Sequence, residues 1–127
     1  MPARMLPLSF SLLVIVALLG SGLAALHLRT GKATLPGWPL GLLHGLLGAT
    51  GLAMLLLALR GPLRGEAMGV GSFGRIAAVL LAMALLAGLA TRAVRLRYGR
   101  IPGLVIGIHA TIAVSGIVIL AAYTLVG

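Results

Sequence analysis

Two histidines stand in matched surroundings. His44-x5-Thr50-Gly51 and His109-x5-Ser115-Gly116 share one spacing from imidazole to a hydroxyl residue followed by glycine. Imidazole is the most versatile ligand and proton carrier among the side chains. Little else here is reactive: Glu66 is the only acidic residue, and the chain has no cysteine. Carboxylate dyads, disulfides, thiolate metal sites, iron–sulfur ligation and a cysteine nucleophile are thereby excluded. With no nucleophile–base pair, a hydrolase is disfavoured.

The elements that position these imidazoles are apolar. Of 127 residues, 61% are hydrophobic and 9% charged, with a mean hydropathy of +1.20. A soluble domain carries about a quarter charged residues, so a free-standing soluble globule is excluded. A helix needs about 20 apolar residues to cross the hydrocarbon core. Four stretches meet that length: 6–27, 38–59, 73–91 and 101–126. Helices are required because lipid offers backbone groups no partners. The connections are expected to run to about ten to thirteen residues. An all-α, integral membrane, up-down-up-down four-helix bundle follows, as a single transmembrane domain in a lipid bilayer. Arg4, the first apolar run and the small residues from Gly20 to Ala25 have the outline of a signal peptide. The run exceeds a signal core, so it is read as a retained helix. Pro36, Gly37 and Pro39 are expected to open the second helix. Gly61 and Pro62 end it, while Gly99 and Pro102 separate the last two. Trp38, Tyr98 and Tyr123 read as interfacial anchors, and Met54 and Met83 as gap-filling or lipid-facing residues.

The +9 formal charge does not point to nucleic acid, because long apolar runs separate the basic residues. Such residues mark topology and headgroup contact. Loops one and three carry Arg29, Lys32, Arg92, Arg95, Arg97 and Arg100, against Arg4, Arg60, Arg64 and Arg75 on the other side. The positive-inside rule puts the first group in the cytoplasm and both termini outside.

An internal duplication organises the chain. His27-Leu28-Arg29-Thr30-Gly31-Lys32 parallels Arg95-Leu96-Arg97-Tyr98-Gly99-Arg100, and each copy precedes a proline and a histidine-bearing helix. Two tandem hairpins with the same orientation are related by an axis along the membrane normal. Both histidines then lie roughly 9–12 Å below one interface and can meet across the bundle. Gly41, Gly48 and Gly51 share a face with His44, and Ile106, Ala113 and Gly116 with His109. Small neighbours leave a slot for a flat group, as in a haem held by two axial imidazoles. Its propionates would reach the loops, where Arg29, Lys32, Arg97 and Arg100 offer guanidinium and ammonium partners. Close helix packing around hydrogen-bonded histidines is the competing reading. Bacteriochlorophyll or another metal is a further one. His27, near the interface, is expected to be a surface histidine, or else a quinone or propionate contact.

The two histidines and their small neighbours resemble the small four-helix b-type cytochromes of bacterial membranes, cytochrome b561-like in the broad sense. That resemblance implies a bacterial inner-membrane electron carrier binding haem b and exchanging electrons with quinone or a partner dehydrogenase. Two-haem members place four histidines at two depths. With three histidines towards one face, this chain has ligands for at most one such haem. The expected function is an electron-transfer subunit in a membrane complex, bound through His44 and His109. A cofactor-free accessory subunit and a small transporter are the alternatives.

Overall fold

The computed structural model describes residues 2–30 and 37–126, with side chains over 4–30 and 39–126. Four helices follow in order: α1 (Pro2–Thr30), α2 (Gly37–Ala58), α3 (Phe73–Tyr98) and α4 (Gly103–Val126). Each is long and apolar enough to cross a membrane, and the chain is an integral membrane protein. Leu8, Leu18, Leu86 and Leu104 point outward, as a helix surface solvated by lipid tails requires. α1 packs along α2, and α3 along α4. The two hairpins meet through α1 with α4 and α2 with α3, which leaves α2 and α4 diagonal.

α1 and α3 outrun their expected ends. α3 carries Arg92, Arg95 and Arg97 within the helix, because charge ends an apolar run without ending a helix. Gly99 stops it: at φ 70° it turns left-handed and returns its N–H to the Arg95 carbonyl at 2.8 Å. Loop three is consequently only Gly99–Pro102, shorter than the ten to thirteen residues expected from the apolar runs. Loop two is the long connection, where Gly65 and Gly69, both left-handed, bracket a short 3-10 turn over Glu66–Met68. Gly31, Lys32 and Pro36 lie outside the described residues, as does the side chain of Trp38.

Packing is uneven along the bundle axis. The half next to loop two holds the core: Leu6, Leu13, Leu52, Leu55, Ala77, Ala78, Leu81, Leu120 and Tyr123. Ser9, also buried there, donates its hydroxyl to the Leu6 carbonyl at 2.9 Å. The duplication is visible in this core. Gly51 receives Leu13, and Gly116 receives Leu81. Leu55 and Leu120 fill matching central positions. The other half is looser. Among the described residues, none on the loop-one and loop-three side of Val16, Gly51, Ala84 and Gly116 is buried.

Candidate functional site

His44 on α2 and His109 on α4 meet where the packed half gives way to the loose half. Their ring centroids are 6.1 Å apart, and the ring planes are almost perpendicular at 82°. Each imidazole is held by the first helix of its own hairpin. Nδ1 of His44 lies 3.0 Å from the Val16 carbonyl, and Nδ1 of His109 lies 2.8 Å from the Ala84 carbonyl. A carbonyl only accepts, so Nδ1–H is the donor in both. In the neutral ring this leaves Nε2 with its lone pair available to a metal.

The reason these carbonyls can be reached lies four residues on. A helical carbonyl at position i is shielded by the side chain at i+4, and here those positions are Gly20 and Gly88. A Cβ at Gly20 would lie 2.7 Å from Cε1 of His44, and one at Gly88 would lie 3.2 Å from Cε1 of His109. The two glycines are therefore seats for the rings. Neither has a site role at first sight in the sequence (Gly20 enters only as the start of a small-residue stretch), although the offset that pairs His27 with Arg95 also pairs Val16 with Ala84 and Gly20 with Gly88. Extending the repeat upstream would have found them.

The other expected site residues divide into groups. Gly51 and Gly116 are buried and filled by leucines of their own hairpins, and Gly48 faces Val16 at 3.6 Å. These serve helix contact. Gly41, one turn before His44, and Gly45, next to it, leave room for a Cβ that meets nothing within 4 Å among the described residues. Ile106 and Ala113 are half-buried beside His109. Arg29, Arg97 and Arg100 are exposed, with the Arg97 guanidinium 5.8 Å from the centre of the Tyr98 ring. Arg92 and Arg95 are half-buried instead. His27 is also half-buried and donates Nε2–H to the Ile101 carbonyl at 3.2 Å, tying α1 to the loop ahead of α4.

Chemically, the pair offers two Nε2 atoms on rings whose centroids are 6.1 Å apart. Two imidazoles bound trans to one metal at about 2 Å each, with ring centres roughly 1 Å behind the nitrogens, have centroids about 6 Å apart. Among the described residues no cluster of three His, Cys, Asp or Glu occurs, so a tetrahedral all-protein metal site has no donor set there. No protein-family model, curated protein or solved structure matches the chain.

Proposed function

We propose that this protein is a membrane b-type cytochrome subunit that carries one haem between α2 and α4, ligated by His44 and His109. The observation that carries the reading is the close imidazole pair: centroids 6.1 Å apart, with both Nδ1 atoms tethered to backbone carbonyls. A second partner on Nδ1 sets the tautomer and raises the basicity of the metal-binding nitrogen. Haem b, when bound, supplies reversible one-electron chemistry. His44 and His109 would hold it through Nε2, each oriented by its Nδ1 bond to a backbone carbonyl. The well-packed core next to loop two leaves the loop-one and loop-three side of the imidazoles as the place where such a ring would sit.

Electrons would pass between a partner protein or quinone and a haem close to one surface. The membrane is taken as the bacterial inner membrane. The end of the bundle that bears loops one and three is assigned to the cytoplasm, because six of the ten lysines and arginines lie in those loops and the helix ends leading into them. Visible spectra of purified protein, oxidised and dithionite-reduced, test the assignment. Sharp reduced α and β bands that vanish in His44→Ala and in His109→Ala are expected. A colourless protein would refute it.

The cofactor-free accessory reading has one observation in its favour. An apolar groove of about 360 Å³ lined by Leu104, Gly107, Ile108, Thr111 and Ile112 lies on the outer face of α4. Colourless protein co-purifying with a stoichiometric membrane partner would support that role.

A further inference from the structure

Loop two is knit together by its own backbone. The Val70 N–H donates to the Gly65 carbonyl at 3.0 Å, Gly69 to Glu66 at 3.0 Å, and Phe73 to Val70 at 3.0 Å. The stem of Glu66 lies across Gly71, where an added Cβ would stand 3.0 Å from its Cγ. The chain's one acidic residue is thereby set on the same recess as Arg75 and Ser72. That hollow of about 390 Å³ is also lined by Leu63, Gly69 and Gly71, and its size falls within the range of small-ligand sites. Among the described residues, Glu66 and Arg75 share the recess without an ion pair between them. Ser72, the N-cap of α3, makes no capping hydrogen bond with its side chain.

We propose that this recess binds the headgroup of a zwitterionic phospholipid with a primary amine, of the phosphatidylethanolamine type. The ammonium pairs with Glu66, and the phosphate with Arg75 and the Ser72 hydroxyl. Charge selects the class. Arg4, Arg60, Arg64 and Arg75 gather at this end of the bundle, and a surface meant only for anionic headgroups gains nothing from a carboxylate among them. A ligand carrying both signs satisfies Glu66 and Arg75 together through charge-assisted hydrogen bonds. Quaternary ammonium groups are ordinarily held in aromatic cages, and none of the residues lining the recess is aromatic. A primary ammonium instead donates hydrogen bonds directly to a carboxylate. The positive end of the α3 dipole adds to the attraction for phosphate. Apolar neighbours account for the rest of a lipid. Leu63 on the rim, Met68 in the adjoining turn and Ile76 beside Arg75 are all exposed. Ile76, Val79 and Met83 continue along α3 as exposed apolar side chains, the course that acyl chains below the headgroup would follow.

The recess lies across the packed core from the histidine pair, and its test is independent of haem. Full-length protein in detergent is titrated with dioleoyl phosphatidylethanolamine, phosphatidylcholine and phosphatidylglycerol, and bound lipid is counted by native mass spectrometry. Wild type is expected to retain phosphatidylethanolamine best. Glu66→Gln should weaken its binding about five- to tenfold without weakening phosphatidylglycerol. Arg75→Gln should weaken both lipids, and Arg75→Lys should keep most of the phosphatidylethanolamine. Arg60→Gln, exposed at the same end but outside the recess, should leave the preference unchanged. Thermal midpoints should match wild type throughout, because these side chains are exposed. Equal retention of the three lipids, or a preference that survives Glu66→Gln, overturns the proposal. Phosphatidylglycerol as the preferred lipid overturns it in favour of a plain basic surface. Displacement of the lipid by an equal concentration of soluble phosphoethanolamine overturns it in favour of a water-soluble zwitterion.

Discussion

Replacing Gly20 and Gly88 by alanine perturbs the two imidazoles unequally, and the inequality can be worked from distances. Carbon atoms pack best at about 3.5–4.0 Å. The added Cβ would stand 2.7 Å from the His44 ring in Gly20→Ala but 3.2 Å from the His109 ring in Gly88→Ala. Reaching even the near edge of that range moves the first ring by about 0.8 Å and the second by about 0.3 Å. The larger shift breaks the 3.0 Å bond from His44 Nδ1 to the Val16 carbonyl. The smaller one stretches the 2.8 Å bond to Ala84 without breaking it. Losing such a bond costs about 1–1.5 kcal/mol, so haem affinity in Gly20→Ala should fall about tenfold. Gly88→Ala should stay within about threefold. The bundle itself is not expected to weaken, because alanine is the better helix former by about 1 kcal/mol. Haem titration of apoprotein at the Soret band, beside thermal unfolding of the same samples, measures both quantities. Equal affinities for the two variants, or a Gly88→Ala defect larger than that of Gly20→Ala, would refute the reasoning.

Other expectations address the scaffold and its placement. Leu120→Ala, at a fully buried position, should destabilise the bundle by about 2 kcal/mol, chiefly through the cavity left behind, since lipid and core are similarly apolar; the thermal midpoint should drop while the haem spectrum keeps its shape. Gly99→Ala forces a side chain into left-handed backbone at φ 70° and should cost about 1 kcal/mol, measurable as a lower midpoint in detergent. Because the chain contains no cysteine, single Arg100→Cys and Met68→Cys variants report sidedness directly. A membrane-impermeant thiol reagent should reach the first from the cytoplasm and the second from outside, and the reverse pattern inverts the orientation.

The parts of this molecule that declare themselves in the sequence are those written in period and composition. Four apolar runs can only be helices in lipid. The His44 and His109 motifs place two imidazoles at one depth on helices of the same direction. Helix ends were harder to read, because Arg92 to Arg97 look like a loop when hydropathy is the guide. They form a helix whose terminus depends on a left-handed glycine. Gly20 and Gly88 were obscured for a different reason. Small residues in membrane helices usually signal close packing, and only a contact with the ring of another helix distinguishes a seat from a packing notch. Likewise, Arg92 and Arg95 read as loop residues until α3 is known to continue past Thr91.

Each hairpin supplies one imidazole, one tethering carbonyl and one glycine seat, so half of the histidine pair's setting is encoded in a segment of two helices. Two identical copies of such a segment, docked as these are, would present the same pair to one another. Covalent fusion fixes that stoichiometry and frees each half to drift. His27 against Arg95 is where the two halves differ: His27 reaches the Ile101 carbonyl, whereas its counterpart carries a permanent charge, so the pair of hairpins is not interchangeable end to end.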